Sequence, residues 1–350
     1  MDRVPIIWLI DAYRAGEQSQ VRALVDALGW PCETKRLSYR KHVVLPHALG
    51  LTSLRGITAE SAATLEPPWP DLVISSGVRN EPVCRWIRAQ SGGLTRYVHV
   101  GRPWGPLQGF DLVVTTPQYR VPRRANVLNN MLTLHSVTPQ RLAAAREEWA
   151  ETFDYLPRPR IAVIAGGHSG PFTLGPLAAS RLARQASTLA RQSGGSLLVS
   201  TSSRTSDEAI EALQAGIDVP NYFYRWQPND AANPYFGMLA LADRLVVTGD
   251  SIAMLSEACA TGRPVQIFDL GGMRGRSDVA VDSRLTARLY GLLMRWFWQP
   301  LSRDITLVHQ QLRASSRAFW LEEESGASVL PAESDMQRAV AAVQGLFSQI

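Results

Sequence analysis

The residues from Val247 to Val265 carry the strongest chemical pattern in the chain. An apolar run, Leu245 to Val247, turns at Thr248-Gly249, a helix begins near Asp250-Ser251, and Gly262 with Pro264 ends it before the next apolar run. The first amides of such a helix have no partner within it and carry its partial positive charge. Gly249, Asp250 and Ser251 are therefore candidates for an anion site, to which the Ser251 hydroxyl adds a hydrogen bond. Asp250 reads equally well as a plain N-cap. Six residues further on, Glu257 lies about 9 Å along the axis at about 1.5 Å per residue. That is roughly the span from a diphosphate to its ribose, whose two hydroxyls a carboxylate can accept, so one helix would hold a nucleoside diphosphate at two points.

Two other loops follow apolar runs. Gly166-Gly167-His168-Ser169-Gly170 could present bare amides and the Ser169 hydroxyl to a phosphate. It lacks the Lys-Ser/Thr end of a Walker loop and does not form G-x-G-x-x-G before a helix, which counts against ATPase and dinucleotide chemistry; a structural turn is the competing reading. Ser200-Thr201-Ser202-Ser203-Arg204-Thr205 clusters hydroxyls, Ser202 among them, with one guanidinium. Arg204 could neutralise charge developing on a leaving phosphate. In Tyr224-Arg225-Trp226-Gln227, Trp226 offers a ring for stacking on a base, with core packing as the commoner fate of such aromatics.

These loops need strands to position them. Short apolar runs ending in small or polar residues recur at Ile6 to Ile10, Leu72 to Ile74, Tyr97 to Val100 and Leu112 to Val114, and again at Ile161 to Ala165, Leu197 to Val199, Leu245 to Val247 and Val265 to Phe268. Helix-length segments separate them, the pattern of parallel sheets with crossover helices. The spacing predicts two α/β units, the first over residues 1–155 and the second over 156–330. The boundary falls after the charged helical stretch Pro139 to Phe153, where Leu156-Pro157-Arg158-Pro159-Arg160 blocks helix.

Composition narrows the class. The 350 residues are 45% hydrophobic, enough for two ordinary cores. The net charge of +5 sits in the amino-terminal half: residues 1–150 carry 18 Lys+Arg against 12 Asp+Glu, and the remainder 18 against 19. Such an excess steers anions or an acidic membrane toward that half, while the absence of an RNP-type run or basic helical stripe argues against nucleic acid. Cys32, Cys84 and Cys259 stand far apart with no C-x-x-C pair, which suggests neither a disulfide framework nor a cysteine zinc site and fits a reducing cytoplasm. No apolar stretch reaches the roughly 18 to 20 residues of a membrane span, so membrane attachment would be peripheral. Residues 39–55, mixing Arg40, Lys41 and Arg55 with Val43, Val44, Leu49 and Leu51, form a candidate interfacial segment, and Leu289 to Trp298 forms another.

The run Thr248-Gly249-Asp250-Ser251 through Ser256-Glu257-Ala258 to Gly262-Arg263-Pro264-Val265 resembles the elongated-mitochondria (mitochondrial fission) family, as do Gly101-Arg102-Pro103, Phe110 to Tyr119, Gly166-Gly167 and Asn233-Pro234-Tyr235. Its bacterial relatives are described as glycosyltransferases of the lipopolysaccharide outer core. The resemblance implies a GT-B architecture: two Rossmann-like domains facing across a cleft, nucleotide-sugar donor on the second, acceptor on the first, and a final helix within 331–350 packing back on the first. Val340, Val343 and Phe347 fall on one face of that last segment, as such a helix requires. Ser256-Glu257 with Gly262 and Pro264 is also similar to the donor helix of the N-acetylglucosaminyltransferase that makes lipid II, where the glutamate contacts ribose.

The resemblance further implies a base in the loop Asp11 to Gln20. The family usually has Gly-His where this chain has Gly16-Glu17, and Kdo transferases place a glutamate after the glycine. Glu17 is therefore the candidate general base, with Asp11 second; as alternatives, Glu17 favours a helix amino terminus and Asp11 caps it. No D-x-D occurs, so helix dipole, amides and Arg204 are expected to stabilise the leaving nucleotide, with neither metal nor cofactor beyond the donor itself. The expected activity is inverting, metal-independent transfer from a nucleotide-sugar to a saccharide or lipid-linked acceptor at the cytoplasmic face of the inner membrane, an anionic surface. The rival expectation is a non-catalytic scaffold that keeps the fold and recruits protein partners at a membrane. A nucleotide-sugar epimerase is disfavoured because neither a dinucleotide fingerprint nor Tyr-x-x-x-Lys is present.

Overall fold

The computed structural model describes residues 4–40, 51–274, 282, 303–323, 326 and 329–348. Two compact units emerge, residues 1–136 with 332–350 and residues 137–331. The first contains β1 (Ile7–Ile10), β2 (Cys32–Lys35), β3 (Leu72–Ser76), β4 (Arg96–Val100), β5 (Leu112–Thr115) and β6 (Val127–Asn129), with α1 (Ala15–Leu28), α2 (Ala59–Ala63) and α3 (Glu81–Gln90). Its sheet runs β2-β1-β3-β4-β5-β6, with parallel pairing throughout.

Strands buried on both faces read as unbroken apolar runs, and successive side chains alternate between the two faces. Ile7, Leu9, Leu72 and Ile74 meet Val21, Leu24 and Leu28 of α1. Trp8, Ile10, Val73 and Tyr97 meet Val83, Cys84 and Ile87 of α3. The last helix, α10 (Asp335–Gly345), is begun by a capping box between Ser334 and Gln337 and returns to this unit. Ala339 and Val343 enter the core beside α1, with Val340 and Phe347 packed at its edge, so the apolar face read from the sequence is the face that packs.

The second unit contains β7 (Arg160–Ile164), the hairpin β8 (His168–Ser169) and β9 (Phe172–Thr173), β10 (Ser196–Ser200), β11 (Asn221–Tyr224), β12 (Arg244–Thr248), β13 (Val265–Phe268) and β14 (Phe319–Trp320). Its helices are α4 (Pro139–Phe153), α5 (Pro176–Gln192), α6 (Asp207–Ala215), α7 (Tyr235–Leu241), α8 (Ile252–Cys259) and α9 (Thr306–Ala314). The order β11-β10-β7-β12-β13-β14 is again parallel, so both units are Rossmann-like α/β folds. The unit begins ahead of α4 rather than at residue 156. Trp149 of α4 lies so close over Gly237 of α7 that a Cβ there would meet the indole at 2.4 Å, and this packing ties the helix to the second unit.

Parallel pairing sends the loops after every strand to the same edge of a sheet. Because β10, β7 and β12 are neighbours, the loops carrying Ser202, Gly166 and Asp250 emerge side by side. No helix among the described residues is long and apolar enough to cross a membrane. Residues 41–50 of the first candidate interfacial segment and all of Leu289 to Trp298 lie outside the described residues.

Candidate functional site

Thr248, the last residue of β12, joins three loops of the second unit. Its Oγ1 accepts from the Gly166 amide at 2.8 Å and donates to Asp250 Oδ1 at 2.7 Å. Asp250 Oδ2 accepts from the Gly167 amide at 3.0 Å and pairs with Arg204 Nη1 at 3.0 Å. Ser202 Oγ donates to the Gly166 carbonyl at 2.7 Å, and the Thr205 hydroxyl donates to the same oxygen. A Cβ at Gly166 would stand 2.5 Å from both Asp250 oxygens, and one at Gly167 would stand 2.0 Å from the Arg204 carbonyl. Both positions therefore need glycine for close approach. Asp250 is buried and turned into this knot, and Arg204, partly exposed, also donates to the His168 carbonyl at 3.1 Å. Gly166, Gly167, Ser202, Arg204 and Asp250 thus come together, with Asp250 as a clamp between loops.

The N-cap of α8 is Ser251, not Asp250, and its side chain makes no capping hydrogen bond. The first turn of α8 therefore keeps its positive end uncapped by its own side chain. The equivalent position on α5, which follows the glycine loop, is filled: Asp282 accepts from the amides of Leu177 at 3.2 Å and Ala178 at 2.9 Å. A carboxylate thus occupies the start of α5, whereas the start of α8, at buried Ser251 and Ile252, has no capping bond from its own N-cap side chain.

Glu257 lies on the second turn of α8, half-buried, where Tyr235 Oη donates to its Oε2 at 2.5 Å. Burial pushes its carboxyl above the usual glutamate range, against the lowering by the Tyr235 hydrogen bond and the Arg141 charge. Burial and the same carboxylate push the Tyr235 phenol well up. Gly249 donates to the Phe268 carbonyl at 3.0 Å, and its own carbonyl accepts from His309 Nε2 of α9 at 2.8 Å. Trp226 is partly exposed beyond β11, its amide held by Thr201 Oγ1 at 2.9 Å. Ser169 sits in the β8–β9 hairpin and accepts from Arg303.

In the first unit Asp11 and Glu17 stand beside the carboxyl ends of β1 and β3. Asp11 Oδ2 accepts from Gln18 Nε2 at 2.7 Å and from Arg22 Nη2 at 2.8 Å, and Oδ1 accepts from the Ala12 amide at 3.1 Å. Its lone pairs are largely engaged. Glu17 lies against Gly77, whose φ of +84° and missing Cβ make room: a Cβ there would be 2.9 Å from Glu17 Oε2. Arg14 Nη1 is 3.7 Å from the other oxygen. Buried Asn80 ties the two strand ends, donating to the carbonyls of Ile10, Asp11 and Ser76. Sequence reasoning assigned no role to His309 or Asn80, and named Thr248 only as part of a turn, Thr205 only as one of a hydroxyl cluster and Tyr235 only within the Asn-Pro-Tyr stretch, whose rings offered stacking on a base.

Residues 15–316 match the family model described as Mitochondrial fission ELM1. The mitochondrial fission protein ELM1 of Arabidopsis thaliana is 26% identical over 246 residues, which are 63% of this chain and 57% of that protein, so the match spans little more than half of that relative's length. Among solved structures, a glycosyltransferase from Rickettsia africae ESF-5 is similar at a TM-score of 0.49 and 10% identity, covering 100% of both chains. A UDP-GlcNAc 2-epimerase from Neisseria meningitidis bound to UDP-GlcNAc is similar at 0.48 and 12% identity, covering 99% of this chain and 100% of that one. The family match runs from the start of α1 to just past α9, through both sheets, and the chain therefore belongs to the mitochondrial fission ELM1 family.

Proposed function

We propose that this protein is an inverting, metal-independent glycosyltransferase of GT-B-like fold, moving a sugar from a nucleotide-sugar to a saccharide acceptor carried on lipid or on a lipopolysaccharide core. The observation that carries the reading is α8: an N-terminus without a side-chain cap beside Ser251, and Glu257 about 9 Å along the same helix, held by Tyr235. The diphosphate lies at the helix end, the ribose hydroxyls donate to Glu257, and the base stacks on Trp226. Charge developing on the leaving diphosphate is met by the dipole of α8 and its amides, with Arg204 held alongside by Asp250. In the first unit Glu17 takes the proton of the acceptor hydroxyl as that oxygen attacks the anomeric carbon and the bond from that carbon to the diphosphate breaks. Asp11, engaged by Arg22 and Gln18, orients the loop.

Thermal-shift and calorimetric screening against UDP-, GDP-, ADP- and CMP-sugars tests this. At least one binds, and Glu257→Ala weakens it. Absence of any binder at millimolar concentration sinks the proposal.

A second reading rests on the family match itself, whose description names mitochondrial fission: a GT-B-like scaffold that recruits protein partners at a membrane. Donor hydrolysis or transfer distinguishes the enzyme from the scaffold, and flotation with anionic vesicles, with charge reversal at Arg40 and Lys41, tests peripheral attachment.

A further inference from the structure

Because β1 and β3 are neighbours in the sheet of the first unit, the loops that follow them lie side by side, and two arginines close on one tyrosine there. Arg14 Cζ stands 5.3 Å and Arg79 Cζ 5.1 Å from the centre of the Tyr13 ring. Arg79 also lies 5.8 Å from the ring of Tyr39, which meets Tyr13 edge-on at 6.5 Å. Both rings are anchored. Tyr39 Oη donates to Oδ1 of buried Asn80, and Tyr13 lies against Gly77, where a Cβ would be 3.3 Å from its ring. The attraction of a cation to a ring face biases where each guanidinium rests, on an aromatic pair that is itself fixed to the strand ends.

Neither cation is matched by a hydrogen-bonded carboxylate. Arg79, exposed, has no ion pair among the described residues, and Arg14 Nη1 is 3.7 Å from Glu17 Oε1, beyond hydrogen-bond reach. The other acid at this edge, Asp11, is taken by Arg22 at 2.8 Å. Exposed Arg40 and Arg55 add to the charge: the Arg40 amide donates to the Gly56 carbonyl at 2.9 Å beside the Tyr39–Ile57 bridge, and neither has an ion pair among the described residues. A guanidinium attracted through its face keeps its in-plane N–H donors for an oxyanion, which it can take bidentately. Tyr13, 43% exposed, brings a phenol whose hydroxyl has no hydrogen-bond partner among the described residues. Two guanidinium charges are balanced by a dianion rather than by a single carboxylate, and several donors suit three terminal oxygens better than two. A phosphate monoester has both properties.

We propose that Tyr13, Arg14 and Arg79 form a clamp for a phosphate monoester in the first unit. Arg79, held by two rings, is the fixed jaw; Arg14, whose side chain is 68% exposed, has room to swing onto the same group. The clamp rests on neither the transferase nor the scaffold reading. It is an anion site of its own, on other residues than the α8 position assigned to a donor diphosphate.

Phosphorus NMR titrations with the full chain test it, with glucose 6-phosphate and short-chain dihexanoyl phosphatidate as monoesters and glycerophosphocholine as a diester control. They are run at about pH 7.5, where a monoester with a second pKa of about 6 is a dianion. The monoester signals shift and broaden at ligand concentrations up to about 10 mM, and the diester signal does not. Arg79→Met removes charge-assisted hydrogen bonds, so monoester affinity falls about 10-fold or more, while the melting midpoint of this exposed-site variant holds. Arg79→Lys keeps the charge, loses the planar fork and recovers only part of the affinity. Arg204→Met and Glu257→Ala, in the second unit, leave monoester binding as it is. No monoester binding at about 10 mM, a diester that binds as tightly, full affinity in Arg79→Met or full recovery in Arg79→Lys overturns the inference. Tighter binding of the phosphatidate assigns the phosphate to a lipid headgroup and tighter binding of glucose 6-phosphate to a soluble sugar phosphate; either upholds the clamp. Nucleotide-sugars added to the same samples keep the proposals apart. Monoester binding without nucleotide-sugar binding upholds the clamp and removes the transferase; nucleotide-sugar binding without monoester binding removes the clamp alone.

Discussion

Tyr235 Oη donates to Glu257 Oε2 over 2.5 Å, so the acid proposed to accept the ribose hydroxyls is already fixed by a phenol from α7. Burial raises the Glu257 carboxyl, and the tyrosine opposes that rise. In Tyr235→Phe the carboxyl rises further and loses its orientation, so nucleotide affinity falls roughly 3- to 10-fold, about 1 kcal/mol. Ribose hydroxyls favour the ionised acid, so binding to the wild-type protein releases a proton at pH values where the raised carboxyl is still partly protonated. Calorimetry in two buffers of different ionisation enthalpy measures that release. A binding heat independent of buffer would remove Glu257 from the site.

The Asp250 clamp predicts an order of stabilities. Asp250→Ala strips partners from Thr248, Gly167 and Arg204 at once, and each of the two buried donors, the Thr248 hydroxyl and the Gly167 amide, left without its acceptor costs about 1–3 kcal/mol. Arg204 is partly exposed, and its loss leaves Asp250 two donors, so Arg204→Met costs less. Gly166→Ala forces a Cβ to 2.5 Å from both carboxylate oxygens and destabilises as a clash. Urea unfolding of the three variants gives the ranking, and equal costs for Asp250→Ala and Arg204→Met would show that the knot is not centred on Asp250.

What the sequence made legible, and what it did not, divides along physical lines. The central strands announce themselves because burial on both faces demands apolar residues at every position. The edge strands do not: β2 is Cys-Glu-Thr-Lys with three exposed positions, and β11 is Asn-Tyr-Phe-Tyr, mostly half-buried, because an edge strand needs fewer apolar side chains. The bounds of α8 were readable from Thr248-Gly249 and Gly262-Pro264, which punctuate the chain locally. The Thr248–Asp250–Gly166–Arg204 knot was not readable, because Gly166 and Thr248 lie 82 residues apart and meet only through strand order. An aspartate after Thr-Gly looks the same whether it faces a ligand or a neighbouring loop. Tyr235 and Glu257, 22 residues apart on separate helices, were hidden for the same reason.

Glu17 and Asp11 are distinguished by their surroundings. Asp11 is engaged by Arg22, Gln18 and the Ala12 amide, which occupy the lone pairs that proton abstraction requires. Glu17→Gln therefore lowers the transfer rate by about 10²- to 10⁴-fold, the usual contribution of a general base, with donor affinity unchanged. Asp11→Asn loses less in rate and more in stability, because Arg22 loses its ion-pair partner. Transfer rates under donor saturation, paired with unfolding curves, separate the two, and a larger rate loss in Asp11→Asn than in Glu17→Gln would exchange their roles.

His309 makes stability depend on pH in a defined direction. It is buried against Trp320, donates from Nε2 to the Gly249 carbonyl at 2.8 Å, and leaves Nδ1 without a partner among the described residues. Burial pushes it from 6.5 down to about 4, against the opposing pull of the Gly249 hydrogen bond and of Asp269, Asp250 and Asp304. Above pH 6.5 the ring is neutral in both folded and unfolded chains, and its contribution to stability is complete. As the pH falls from there toward 4, the unfolded chain takes up a proton that the folded one refuses, and stability drops by on the order of 3 kcal/mol. His309→Gln can keep a donor to Gly249 and abolishes this titration, so its melting midpoint starts lower at pH 7 yet declines less steeply through the same window. Because Gly249 forms the turn that leads into Ser251 and α8, nucleotide affinity in the wild type weakens over the same interval as the turn loosens. Parallel pH profiles for the wild type and His309→Gln would show that the acid sensitivity arises elsewhere.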